Sequence, residues 1–181
     1  MFDLNEKVVY PGQGVAKIAR IIEKNIGSSS LQFFELAFLK KDVTVLVPTS
    51  NAENIGIRRL ASTDGLQDIF TILSKPANKN KYPEFTASSW NKRSKEYQLK
   101  LQKGTIRELS EIYRDLKFIG TQKTLSFGEK NLLSQAEVLL AEEISLVKEV
   151  DADKAVEELR SGCMYRSPHV SYVKEGQEHS Q

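Results

Sequence analysis

Sulfur, imidazole and indole are nearly missing from this chain of 181 residues: it has one cysteine, two histidines and one tryptophan. The lone Cys163 cannot close an internal disulfide, so a reducing, cytosolic setting is expected. His169 and His179 lie near the C-terminal end, and no Cys/His set with zinc spacing can be drawn. A Cys–His catalytic pair is not expected from that placement. Gly12-Gln13-Gly14 is too short for a dinucleotide or P-loop fingerprint. Carboxylates are plentiful, but Glu142-Glu143 and Glu157-Glu158 are neighbours on predicted helices. Adjacent helical residues point about 100° apart, so neither pair converges on one site, and both are expected to be solvated helix charge. Long apolar runs are also absent. Nothing reaches the roughly 18–20 residues that cross a bilayer, and "MFDLNEKVVYPGQG" lacks the charged leader and apolar block of a signal peptide. No membrane span, metal or cofactor is expected, and no enzyme; a hydrolase would need a converging catalytic cluster that the sequence does not display.

What remains is ordinary in amount and uneven in placement. Hydrophobic residues make up 40% and charged residues 28%, and the net charge is +2. Residues 1–60 carry 8 Lys/Arg against 6 Asp/Glu, residues 61–130 carry 13 against 8, and residues 131–181 carry 5 against 10. Within 75–107, nine basic residues face only Glu84 and Glu96. A strongly basic middle beside an acidic end points either to a polyanionic partner or to a lysine-rich solvated helix face.

The first sixty residues read as β structure. "KVVY", "VAKIARII", "LQFFELAFL" and "VTVLVP" are strand-like runs, broken by the "GQG" turn, the polar "NIGSSS" loop and the charged Lys40-Lys41-Asp42 turn. Five short strands without an intervening helix favour a small antiparallel barrel closed on itself, which removes exposed edges. From about residue 62 the period becomes helical. "TDGLQDIFTIL" is a first helix, "SKPANKNKYPEF" an exposed basic loop, and Ser88 to Lys103 a second helix ending at Gly104. Thr105 with Glu108, and Ser126 with Glu129, mark two more helix starts by the capping-box spacing. Gly120 is expected to end the first of these, Asp151 to cap a last short helix, and the chain after residue 160 to be disordered. The fold class is therefore α+β: a small antiparallel β-barrel over 1–60, an all-helical domain over 61–160, and a tail over 161–181.

Trp90 poses the sharpest question. It stands in "SSWNKRSKEYQLKLQK", just before Lys92, Arg93 and Lys95. Trp90, Tyr97 and Leu101 share a helix face, which supports a core anchor. The stripe is weak where Trp90 sits, which supports a working surface. Basic side chains hold phosphates without reading sequence, and an apolar ring among them can wedge at a parted base step.

The ordered set "KVVYPGQGVAKI", "VTVLVPTSNAENIGIRRL", the Trp-Asn-Lys-Arg segment, "RELSEIYRDL" and "LSFGEKNLLSQAEVLLAEEI" resembles the CarD/CdnL family of bacterial transcription regulators over residues 5–150. The first sixty residues also resemble the polymerase-interaction module of the transcription-repair coupling factor. The resemblance implies a Tudor-like barrel that docks on the β subunit of RNA polymerase. It also implies a helical domain that contacts promoter DNA, with low sequence specificity, at the upstream fork of the bubble. It places a tryptophan wedge at Trp90 and basic neighbours at Lys92, Arg93 and Lys95. Lys130 matches a further basic position near DNA, though its capping turn explains it equally well. On the barrel, Lys24 keeps a docking charge, while Leu46 falls where some relatives carry arginine. Docking then relies on strand pairing around Thr44, Val45, Leu46 and Val47 and on apolar contact. Tyr10, Pro11, Gly14, Pro48, Asn51 and Gly56 read better as turn and packing residues. A cytoplasmic, monomeric factor that stabilises the open complex is the expectation; the alternative is a protein–protein adaptor that binds polymerase and no DNA.

Overall fold

The computed structural model of the chain describes residues 2–77 and 87–166. Five strands come first: β1 (Lys7–Tyr10), β2 (Gly14–Ile26), β3 (Ser29–Phe38), β4 (Thr44–Pro48) and β5 (Arg58–Arg59). A 3-10 turn (Thr49–Asn51) and a short helix α1 (Ala52–Ile55) lie between β4 and β5. Five helices follow: α2 (Thr63–Leu73), α3 (Ala87–Lys103), α4 (Ile106–Gln122), α5 (Phe127–Lys148) and α6 (Ala152–Gly162). The α+β class and the Tudor-like character of the β half are as expected.

The sheet is antiparallel throughout, in the order β4-β3-β2-β1-β5. Its two ends do not pair with each other, so hydrogen-bond closure is incomplete among the described residues and β4 is an edge strand. The expectation of a barrel without edges is corrected on this point. β5 has only two residues and bonds to β1, so it cannot bridge back to β4. Alternation in β3 and β4 turns Phe34, Leu36 and Val47 inward, where they meet Val8, Ala16, Ile18, Ala52 and Ile57.

A second, separate core fills the helical half. Leu66, Ile69 and Leu73 of α2, Tyr97 of α3, Leu109, Ile112, Tyr113, Leu116 and Ile119 of α4, and Leu132, Ala136, Leu140 and Ile144 of α5 make its centre. Ser126 caps α5 in a full capping box with Glu129, and Thr105 and Asp151 cap α4 and α6 by accepting from Glu108 N and Lys154 N. Gly120 does not end α4. The helix runs two residues further, and Gly120 faces Leu125 of the following turn.

The start of the expected tail is ordered. α6 extends to Gly162, Cys163 is buried in the helical core, and Met164 N donates to Leu73 O. Tyr165 stacks at a tilt on Phe118, and its hydroxyl accepts from Ala77 N. Aromatic and sulfur burial, which carries no helical period, holds this segment down. Residues 167–181, with both histidines, lie outside the described residues, as does most of the basic loop from residue 78 to residue 86.

The two cores meet through a polar joint. Arg58 of β5 grips Glu143 of α5 with hydrogen bonds of 2.7 and 2.8 Å, and also donates to Gly104 O at 3.1 Å. Ala61 N donates to the same Glu143 carboxylate at 2.8 Å. One residue earlier, Glu142 accepts from Val15 N at 3.3 Å. Gly14 leaves room for that approach, since a Cβ there would lie 2.5 Å from the Glu142 carboxylate oxygen. Gly104, in the left-handed region at φ 61°, lets the α3–α4 turn press on Pro11, 2.8 Å from where its own Cβ would stand. The expectation that Glu142 and Glu143 are solvated is therefore wrong: both are buried. α5 is the central helix, packed on α2, α4, α6 and β2, so it has little solvent face left along this stretch. The 100° between the two residues stands, and sends each carboxylate to a different part of the barrel.

Candidate nucleic-acid interface and docking edge

α3 carries Trp90 as its fourth residue. The ring is half-buried. One part lies on the backbone of Gly128 in the first turn of α5, so closely that a Cβ at residue 128 would stand 2.8 Å from Trp90 Cζ2. The residue is partly exposed at the margin of the helical core. Trp90 therefore packs α3 against α5 without being sealed inside the bundle.

Arg93 departs from the surface role that the sequence suggests. It is 6% exposed, and its guanidinium donates to Ser89 Oγ at 2.9 Å and to Glu129 Oε1 at 3.3 Å. Its centre lies 6.0 Å from the Trp90 ring centroid, a cation–π contact from within. The reason is positional. Arg93 is one turn after Trp90, on the face that meets the capping turn of α5, where Glu129 offers a buried carboxylate. Glu129 also accepts from Lys123 Nζ at 2.5 Å and from Ser126 N at 2.8 Å. Burial alone would raise its pKa, but the lysine and the capping donors outweigh this and hold the carboxyl below its ordinary value. The acid is thus neutralised in place.

Lys92, Lys95 and Lys130 are exposed and make no ion pair among the described residues; at 100° per residue, Lys92 and Lys95 lie about 160° and 140° around α3 from Trp90, while Lys130 is one turn along α5 from Phe127. Phe127, the first residue of α5, is 87% exposed beside the glycine that carries the Trp90 ring. The start of α5 thus carries an exposed phenyl ring and an exposed ammonium group next to the partly exposed indole, and the outer face of α3 adds two further ammonium groups. Together they offer cations for phosphate and flat apolar faces for bases. Phe127 was not singled out from the sequence, although a signal existed. It lies nine positions before Ala136, about 180° away around the helix, and so off the apolar stripe.

The residues expected from the sequence to dock, Lys24 and Thr44 to Val47, sit on and beside the open edge. β4 pairs with β3 from Thr44↔Ala37 to Pro48↔Phe33, and its other side is free of sheet partners. Thr44 and Leu46 face out, Leu46 at 39% exposure, while Val45 is half-buried and Val47 belongs to the barrel core. Val47 can therefore offer a partner its backbone and not its side chain. Lys24 stands on the exposed arm of the β2–β3 hairpin, opposite Leu31 and beyond the end of β4. Ile21, Ile26 and Leu31 are exposed apolar residues of the same arm.

Comparison with known proteins decides the family. The description "CarD, C-terminal domain" matches residues 68–160, and "CarD-like/TRCF RID domain" matches residues 2–61. The chain belongs to the CarD/CdnL family. Its two matched regions coincide with the helical half and the β half described above. A Bacillus subtilis (strain 168) protein named "Putative transcription factor YdeB" is 28% identical over 148 residues, which is 82% of this chain and 93% of that relative. CarD-family membership makes the chain a transcription-associated factor of the RNA polymerase-interacting type. No helix among the described residues is long and apolar enough to cross a membrane.

Proposed function

We propose that this CarD-family chain is a non-enzymatic, cytoplasmic regulator that holds RNA polymerase and promoter DNA together at the upstream fork of the transcription bubble. The β4 edge and the apolar residues next to it pair with a strand of the polymerase β subunit, as an open edge allows. The Trp90 tip meets the DNA. Lys92, Lys95 and Lys130 take phosphates, and the indole enters a base step that is already parted. Arg93 acts from below, as the residue that seats the ring.

The observation that supports this reading most is the partly exposed Trp90, seated on Gly128 in a helix whose Lys92 and Lys95 are exposed. A ring with only a structural role would be covered, and a ring with only a contact role would not be braced by a buried Arg93–Glu129 pair. Stabilisation of the open complex follows from differential binding, because the closed duplex offers no parted step.

The test is the lifetime of open complexes on a promoter fragment with the wild-type chain and with Trp90→Ala. Stacking worth about 1–2 kcal/mol per ring corresponds to roughly 5- to 30-fold in lifetime. Trp90→Ala is expected to lose that increment while still binding polymerase. Equal loss of both activities, or an unchanged lifetime, overturns the proposal.

A further inference from the structure

We propose that Phe127 is a second base-stacking residue, so that the tip grips unpaired DNA with two aromatic rings rather than one. The inference rests on the reading of the Trp90 tip given above and extends it to a residue that the sequence did not single out.

Among the described residues Phe127 is the most exposed large hydrophobic residue, at 87%; the next, Leu99, is at 61%. It is not a frayed end. Ser126 and Glu129 close a full capping box around it, so its backbone is held, while its ring belongs to neither hydrophobic core among the described residues. It directly precedes Gly128, on which the Trp90 ring lies, so both aromatic residues belong to the first turn of α5 and what packs on it.

The chemistry of that surface selects the ligand. Lys130, one turn along α5 from Phe127, is exposed, and the carboxylate of this turn, Glu129, is buried and matched by Arg93 and Lys123. The outward charge is therefore positive, and the partner must be anionic. An anionic partner that also offers flat apolar faces to a fixed phenyl ring is nucleic acid with exposed bases. Duplex DNA hides those faces in its stack, whereas a fork or single strand presents them, and aromatic stacking of this kind tolerates any base. Phe127 would then add affinity for melted DNA without adding sequence preference.

The experiment uses the full chain with Phe127→Ala, Phe127→Trp and Trp90→Ala. Binding is followed by fluorescence anisotropy at low salt to a labelled fork, to a fully paired duplex of the same sequence, and to vesicles of phosphatidylglycerol as an anionic surface without bases. The ring belongs to neither hydrophobic core among the described residues, so Phe127→Ala is expected to keep the thermal midpoint of the wild type. It is expected to weaken fork binding by about five- to tenfold and leave duplex binding within about twofold, while Phe127→Trp keeps or strengthens fork binding. Fork binding unchanged in Phe127→Ala but reduced in Trp90→Ala overturns this inference and leaves the Trp90 reading standing. If neither variant alters fork binding, both fall. Equal losses on fork and duplex, or a loss seen only on vesicles, overturn base stacking as the role of Phe127.

Discussion

Glu143 belongs to the central helix of the bundle, yet among the described residues its carboxylate accepts from β5 and the segment just after it: from Arg58 at 2.7 and 2.8 Å and from Ala61 N at 2.8 Å. The carboxylate is 1% exposed, while the Arg58 side chain is 25% exposed. Such a bidentate, charge-assisted pair fixes orientation as well as distance. It turns the β4 edge and the Trp90 tip into parts of one frame. Docking at one end then presents the other in a set direction, which a flexible tether would not do.

Glu143→Gln therefore tests the joint. The amide cannot accept from both guanidinium nitrogens and Ala61 N, and a partly buried arginine loses its counter-charge. A loss of about 1.5–3 kcal/mol is expected, from the usual worth of a charged hydrogen bond. For a chain of this size that lowers the thermal midpoint by roughly 3–12 °C. A calorimetric midpoint unchanged within about a degree would show that the pair does not hold the halves together.

Two other buried glutamates should respond to pH in opposite ways. Glu129 has its carboxyl held below the ordinary value, with burial opposed and outweighed by Lys123 and the capping donors. Its stabilising charge is present above the unfolded value and is lost as pH falls through the folded one. Glu142 is pushed up, mainly by burial, with only partial relief from Val15 N and the nearby Lys40 and Lys41. Its ionised form burdens the fold above the folded value, and that burden lifts as pH falls toward the ordinary carboxylate range. At neutral pH, Glu129→Gln is expected to destabilise by about 1–3 kcal/mol. Glu142→Gln, which keeps an acceptor for Val15 N, is expected to be neutral or stabilising by up to about 1 kcal/mol. Chemical denaturation of both variants from pH 7 downward checks the signs: the Glu142→Gln difference closes as pH falls to the ordinary carboxylate range, whereas the Glu129→Gln difference starts to shrink only below that range.

Much of this frame was legible beforehand, and what was not has a common cause. Periodicity marked the strands and α2 to α6, and capping residues marked the helix starts at Thr105, Ser126 and Asp151 because those signals are local. The fate of Glu142 and Glu143 was hidden because it depends on Val15 and Arg58, more than eighty positions away. Arg93 was misjudged for the same reason: a basic residue in a basic run looks solvated until Glu129 of another helix is known to face it. The ordered start of the tail depends on contacts of Tyr165 with Phe118 and Ala77, which no local period announces. At the tip, the sequence pointed to Trp90 and the lysines but not to Gly128, whose missing Cβ makes the seat.

That seat gives a direct optical prediction. Trp90 is the only tryptophan, so the chain's indole emission reports this ring alone. Gly128→Ala puts a methyl group 2.8 Å from Cζ2, well inside van der Waals contact, and the ring must lift. Emission is expected to shift to longer wavelength, and acrylamide quenching to rise, while α5 stays folded because alanine suits a helix better than glycine does. Open-complex lifetime should fall with the same variant even though no residue thought to touch DNA has been changed. An emission maximum identical to wild type would mean that the ring does not rest on Gly128.

Arg93 and Lys92 are neighbours in sequence with opposite surroundings, and salt separates them. Lys92 is exposed and unpaired among the described residues, so as a phosphate contact it adds to counterion release. Lys92→Ala should lower the slope of log affinity against log salt by about 0.7–0.9, the increment for one phosphate, and leave the thermal midpoint in place. Lys130→Ala should behave alike. Arg93 is buried against Glu129 and the Trp90 ring, so Arg93→Gln should leave the salt slope near that of the wild type. It should instead lower stability by about 1–3 kcal/mol and shift Trp90 emission, because it removes a charged hydrogen bond to Glu129 and the cation beside the indole. Titrations at four or five salt concentrations, with a thermal melt of each variant, distinguish the two roles. A reduced slope in Arg93→Gln with an unchanged melt would return that residue to the DNA-facing surface and remove it from the seat.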